Sequence, residues 1–399
     1  MWRTLIDEGH AAVLLVHACN SGELSMVQQI LAAGQDPSIQ LGSADETSED
    51  GMNCTPLTAA CHGGHEPCVR ELLDYGADPN QPRPDATTPL IAACSRGHPQ
   101  CVQLLLQSGA DPHKEGEAGV TPLLAAIGDD VDQLRCVMLL LENAAASPDL
   151  DFALYFACHS SHAACAKVLL THGANPDGHR GTSGGLLPLH IATHGGDVPA
   201  AYGLLEAGAD KESVITGGSS LLEGATPMVT ACVSDQLPMV QLLSSYGASR
   251  NPSTTELPVR GTTSTDPITV WLVESSHWTP LHHAGVVPVE RTRTLLRAGA
   301  DLHALGTGPT GTPINQPTPL QLAQQDPTHP GFALVLAASQ WWSPDSHALM
   351  PDAARARAVA LLRLGYLLSW QPRFATESQG LLDAWREYVM PHALDRGSA

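Results

Sequence analysis

Aromatic side chains are scarce in this sequence, which has four Phe, six Tyr and seven Trp among its 399 residues. A core cannot be built around large rings and must be filled with closely packed Ala, Leu, Val and Cys, which suits helices stacked on helices. Basic residues are scarce too: 20 Lys and Arg stand against 41 Asp and Glu, giving a formal charge of −21. That balance argues against a nucleic-acid partner and against an anionic membrane surface, since both are held by Lys and Arg. Lys114, Lys167 and Lys211 are the only lysines, yet Arg, Ala, Gly and Pro abound, a pattern that reads as genomic base composition. The longest apolar runs, 11–16 and 332–338, fall short of the ~20 residues a membrane helix needs. Asp7 and Glu8 precede the first run where a signal peptide carries positive charge, so neither membrane insertion nor secretion is expected.

A chain of this length would ordinarily hold two or three domains, but internal repetition overrides that expectation. Thr-Pro-Leu opens similar segments at Thr55, Thr88 and Thr121, each 33 residues after the last. Further copies begin at Phe152, Leu187, Thr226, Thr279 and Thr318, and one without the Thr-Pro lies near Val13, giving about nine units. In each unit Thr is a good N-cap and the following Pro has a φ suited to the first helical turn. Nine positions on, Gly22, Gly64, Gly97 or Gly196 can take the left-handed conformation that ends a helix. A second helix follows with apolar residues at helical spacing, as in Val102, Leu105 and Leu106 or Val240, Leu242 and Leu243. It stops at Gly34, Gly76, Gly109, Gly173, Gly208 and Gly247. Helices of about ten residues are unstable alone in water, so neighbouring units must hold one another up.

These residues resemble the ankyrin repeat over roughly 10–340. Its hallmarks appear as Thr279 to His282, Gly64-His65, Gly97-His98, Gly109 to Asp111 and Gly208 to Asp210. The departures are two extra residues near Asp130 and Val131, a missing Thr-Pro at Phe152, and a shortened unit after Thr279. The resemblance implies an all-α solenoid with projecting β-turns and an intracellular scaffold or adaptor, cytoplasmic or nuclear. It also implies a monomer that binds partner proteins without a cofactor. The expected domains are 1–340, the repeats, and 341–396, a small C-terminal helical extension. Long loops are expected near 38–54, 211–225, 250–278 and 302–317, and within the third the β-branched run Ile268 to Val273 suggests a strand.

After Trp341-Trp342-Ser343-Pro344 the pattern breaks into helices near 352–369 and 377–389 with several arginines. This resembles a tail that follows the repeats in ankyrin proteins of unicellular eukaryotes. It reads either as a cap over the final repeat or as a docking pair for a second partner, as in substrate adaptors of ubiquitin ligases.

Two segments imitate metal sites: Cys61-His62-x-x-His65-x-x-Cys68 and Cys158-His159-x-x-His162-x-x-Cys165. The repeat register explains them more simply. Cys19, Cys61, Cys94, Cys158 and Cys232 share one column, and Cys68, Cys101, Cys136 and Cys165 share another, as small buried hydrophobes. Cysteines that follow the packing period are not expected to pair as disulfides. Cys54 falls outside both columns and is expected near the surface. As a nucleophile it would have His62 as a conceivable base but no orienting group or oxyanion hole, so no enzyme activity is expected. His190 and His282 fill the fourth place of Thr-Pro-Leu-His, where the family's histidine bonds locally. His65, His98 and His162 likewise read as structural.

The resemblance places partners along the turns and first helices. The turn positions are Cys54, Thr87, Val120, Asp151, Ala225 and Trp278. The helix face offers Asn20, His62, Ser95, Arg96, Asp129, His159, His194 and Asp235. Trp278 would be either an interface anchor or packing beneath the 250–278 loop. His62, His159 and His194 share a column and suggest pH sensitivity. Asn80, closing Gly76-Ala77-Asp78-Pro79-Asn80, resembles the family's site of asparagine hydroxylation, with Pro79 in place of the usual Val.

Overall fold

A computed structural model of the chain describes residues 8–39, 54–128, 130–143, 150–178, 186–216, 224–249, 267–275, 278–305, 317–339, 349 and 355–356. The chain divides into two compact units, Met1–Ala209 and Asp210–Ala399. The division falls inside the expected repeat domain. Of the expected extension at 341–396, only Leu349 and residues 355–356 are among the described residues.

In the first unit the described helices come in pairs. They are α1 (Glu8–Ser21) with α2 (Leu24–Ala32), α3 (Pro56–Gly63) with α4 (Glu66–Asp74), and α5 (Pro89–Ser95) with α6 (Pro99–Gln107). After them come α7 (Pro122–Ala125) with α8 (Val131–Asn143), α9 (Leu150–His159) with α10 (Ala163–Thr171), and α11 (Pro188–Gly195) with α12 (Val198–Glu206). First helices stack on first helices and second on second, as α1, α3 and α5 do beside α2, α4 and α6.

The caps follow from the sequence. The Thr55, Thr88 and Thr121 hydroxyls accept from the backbone N–H three residues on, at 3.2–3.3 Å, and Pro occupies the first helical position. At Phe152, which lacks both residues, the chain is already helical: α9 includes Leu150 and Asp151, ahead of the place where the other first helices begin. Gly22, Gly64, Gly97 and Gly196 all have φ between 69° and 75°. The next unit's histidine then packs onto this turn, where a Cβ at Gly22 or Gly64 would lie 2.5 Å from the ring of His65 or His98. His65 Nε2 meets the Asn20 carbonyl at 2.9 Å and His98 Nε2 the His62 carbonyl at 3.2 Å, so each histidine ties one unit to the one before. Between units the chain reverses in tight turns: the Arg83 amide donates to the Thr87 carbonyl and the Gly116 amide to the Val120 carbonyl, both at 2.9 Å.

The second unit holds α13 (Pro227–Val233) with α14 (Leu237–Ser245), and then α15 (Pro267–Glu274). A 3-10 helix at Pro280–Gly285 pairs with α16 (Val289–Arg297), and α17 (Pro319–Gln325) with α18 (Pro330–Ser339). Its last core joins Leu281, Leu295, Leu296, Leu302 and Val335 with Leu349, from beyond the last repeat helix. The shortened unit after Thr279 folds its first helix as a 3-10 segment.

The expected strand at Ile268 to Val273 is instead helical, lying wholly within α15. Pro267 sets the φ of the first helical residue, Ile268 is buried, and the Trp271 ring lies 5.4 Å from that of His283. Tertiary packing at helical spacing outweighs the β-branched propensity of the run.

Candidate protein-binding surface

The turn positions do not all present side chains. Cys54 is 1% exposed and Ala225 fully buried, which corrects the expectation that both lie at the surface. Arg83 and Asp85, from the following turn, lie close enough to Cys54 to act on its thiol, and burial raises its pKa above the ordinary value. A buried thiol with a raised pKa is a poor nucleophile. Thr87 is half-buried and Val120 exposed. The Asp151 carboxylate is engaged, accepting from the Asn175 amide at 2.8 Å.

On the first helices Arg96, His159 and His194 are exposed and His62 is half-buried. Arg96 Nε donates to His62 Nε2 at 3.0 Å, so the structure brings these two predicted residues together. Burial, followed by the charges of Arg96 and Arg83, lowers the His62 pKa, and the imidazole is neutral at physiological pH. Asp129 lies outside the described residues. Trp278, in the second unit, is half-buried; its ring lies 5.9 Å from His282, 5.3 Å from His283 and 6.3 Å from Trp271.

One feature of this surface escaped the sequence reading. Phe152, Tyr155, Phe156 and His159 follow i, i+3, i+4, i+7 spacing along α9. Phe152 stacks on Tyr155 and Tyr155 on His159, each pair with centroids 6.4 Å apart. Phe152 and Phe156 are each 38% exposed, and they are two of only four Phe in the chain. The signal was a cluster of rings at helical period in the one copy that had lost its Thr-Pro.

The metal-like segments come apart in space. Cys61 and Cys68 are buried, His65 meets a backbone carbonyl, and His62 accepts from Arg96. Among the described residues no group of three or more His, Cys, Asp or Glu is placed to hold a metal ion. Burial pushes the Cys101 and Cys158 thiols up to about 12, and raises those of Cys19, Cys61 and Cys94 above the ordinary thiol value. None of the ten cysteines forms a disulfide; nine are buried, and Cys232, expected inside its column, is the partly exposed one.

The Asn80 side chain bridges two units. Its Nδ2 donates to the Gly109 carbonyl at 2.9 Å, and its Oδ1 accepts from the Asp111 amide at 2.7 Å.

Paired helices stacked unit on unit, with side chains offered from turns and first helices, define a repeat protein whose surface varies while its scaffold stays constant. The family model described as ankyrin repeats (3 copies) matches residues 14–116 and 123–215, so the pairs of the first unit are ankyrin repeats. Such repeats act in protein–protein interaction. No curated protein matches the chain. Among solved structures it is similar to the human ASB11 ankyrin repeat domain, with 27% identity, 54% of this chain and 90% of that one covered, and a TM-score of 0.44. It is also similar to the ankyrin repeat domain of Bcl-3, a member of the IkappaB protein family, at 26% identity, with 55% and 93% covered and a TM-score of 0.44. No helix among the described residues is long and apolar enough to cross a membrane.

Proposed function

We propose that this chain is a non-enzymatic scaffold or adaptor, monomeric and resident in the cytoplasm or nucleus, in which all nine helix pairs act as repeats. A partner protein binds the surface of turns and first helices. The observation that carries this reading is the exposed aromatic face of α9. Aromatic residues make up only 4% of the chain, and two exposed Phe beside a half-buried Tyr are what an interface anchor requires. Thr87, Arg96, His62, His159 and His194 contribute the polar part, and Trp278 a further contact in the second unit. The test is capture of partners from the source cell by the intact chain and by Phe156→Ala. Loss of captured protein, by about tenfold or more, is expected of an anchor. Equal capture by a variant of unchanged thermal stability would remove this surface from the reading.

A second reading, substrate adaptor of a ubiquitin ligase, rests on the helices expected after residue 344 and on the three lysines. Leu349 favours a cap, because it is buried in the core of the last repeats. Capture with and without residues 345–399 separates the two. Hydroxylation of Asn80 belongs to this proposal as well. It requires the amide to leave Gly109 and Asp111, so modification would occur before folding or on an opened repeat, and peptide mass at Asn80 decides it.

A further inference from the structure

The basic residues of this acidic chain are mostly already engaged where the structure describes them. Arg70 pairs with Glu66 and Arg293 with Glu290, while Lys114 and Lys211 donate to the carbonyls of Asn80 and Tyr246. Arg96 differs. It is exposed, it has no carboxylate partner among the described residues, and its Nε is spent on a neutral ring, that of His62. That bond fixes the head of the side chain and leaves its two terminal nitrogens uncommitted, the pair that grips a carboxylate in two parallel bonds.

Arg83 joins it from the turn before α5. Its Nη2 lies 3.4 Å from Asp85 Oδ2, a loose contact, and its buried Nε has no hydrogen-bond partner. The other Asp85 oxygen accepts from the Thr87 amide at 3.0 Å, so this carboxylate offsets Arg83 only in part. His62 feels both guanidinium groups and His98, so the local field is positive although the chain carries −21.

We infer that the patch formed by Arg83, His62 and Arg96 receives a carboxylate side chain from an acidic segment of the partner protein. The inference rests on the scaffold reading and adds the partner's chemistry to it. Charge complementarity selects the occupant: a basic segment would be drawn to the chain's acidic surface at large and repelled here. Two guanidinium groups, one loosely paired and one without a carboxylate among the described residues, suit an incoming Glu or Asp.

The probe is fluorescein-labelled octaglutamate, titrated with the full chain by anisotropy. Binding is expected at about 20 mM salt and should weaken by at least about tenfold at about 200 mM, as screening shortens the reach of the charges. Arg83→Gln with Arg96→Gln should weaken it by at least about tenfold at low salt, whereas Arg70→Gln with Arg293→Gln, which removes the same charge elsewhere, should change it less than about twofold. Circular dichroism confirms that both double variants fold. Absence of octaglutamate binding at low salt, or equal loss in the two double variants, would overturn the inference. So would a phosphoserine peptide binding more than about tenfold tighter than octaglutamate, which would make the site one for phosphorylated partners. A partner still lost on Phe156→Ala while octaglutamate fails leaves the scaffold reading standing without this one. Patch-dependent octaglutamate binding with no partner captured does the reverse.

Discussion

Ser161 and Asp235 stand where Gly22, Gly64, Gly97 and Gly196 end their first helices, and they are held at φ of 61° and 55°. A side chain with a Cβ is strained there, Asp less so than Ser because a short polar side chain tolerates the left-handed region. Ser161→Gly should therefore raise stability by about 0.5–1 kcal/mol, and Asp235→Gly by less, once the added freedom of the unfolded chain is subtracted. Urea unfolding of each variant measures it; a loss of stability at Ser161→Gly would mean that its side chain makes a contact worth more than the strain. The cysteines give a second prediction at this scale. In the native protein Cys232 should react with a thiol reagent well before the other nine, and all ten should react once the chain is denatured. Prompt modification of Cys54 would contradict its burial. The columns of cysteine were legible because they recur with the packing period. The burial of Cys54 was not, because it depends on tertiary neighbours, among them a turn some 30 residues on whose Arg83 and Asp85 lie close enough to act on its thiol.

Helix boundaries were equally legible, since Thr-Pro and Gly act locally and mark where a helix starts and stops. Where contacts from elsewhere decide, as in α15, local propensity misled. The end of the second unit shows how closely elements meet there: a Cβ at Gly331, in the first turn of α18, would overlap the carbonyl oxygen of Ala284. Backbone cannot swing aside as a side chain can, so Gly331→Ala should cost about 2 kcal/mol or more, read as a fall in the unfolding midpoint. His282 sets the pH response of the same region. The Thr279 amide donates to its Nδ1 at 2.9 Å, and burial lowers its pKa below the ordinary 6.5. The unfolded state thus binds the proton more readily than the native one. The associated stability is whole above about pH 6.5 and drains away as pH falls from there through the lowered native value. Melting at pH 7.5 and pH 5.5 should show a larger acid-induced drop for the wild type than for His282→Gln, whose amide oxygen can take the Thr279 bond without titrating. Equal drops would mean that other histidines carry the acid sensitivity.

At the scale of the whole molecule the repeat class was plain in the sequence, because a period of 33 residues needs no tertiary knowledge to detect. The aromatic face of α9 was hidden by attention to that same period, since Phe152 is most visible as a failed Thr-Pro. The proposed interaction chemistry sits where the consensus is abandoned, because the consensus positions are committed to holding neighbours together. The chain's ends obey a related logic. A repeat buries its apolar side on its neighbour, so α17 with α18, the last pair among the described residues, needs a cover from beyond residue 339. Leu349 does part of that covering, packed with Leu281, Leu296, Ala323 and Val335. Leu349→Ala should therefore lower the stability of this last core by about 2–4 kcal/mol. Because repeats couple mainly to their neighbours, the loss should be local: amide exchange should accelerate across the 3-10 helix, α16, α17 and α18, and stay unchanged in α3 to α6. Unchanged exchange in α17 and α18 would show that the segment after residue 339 does not serve as the cap and is free for a second partner.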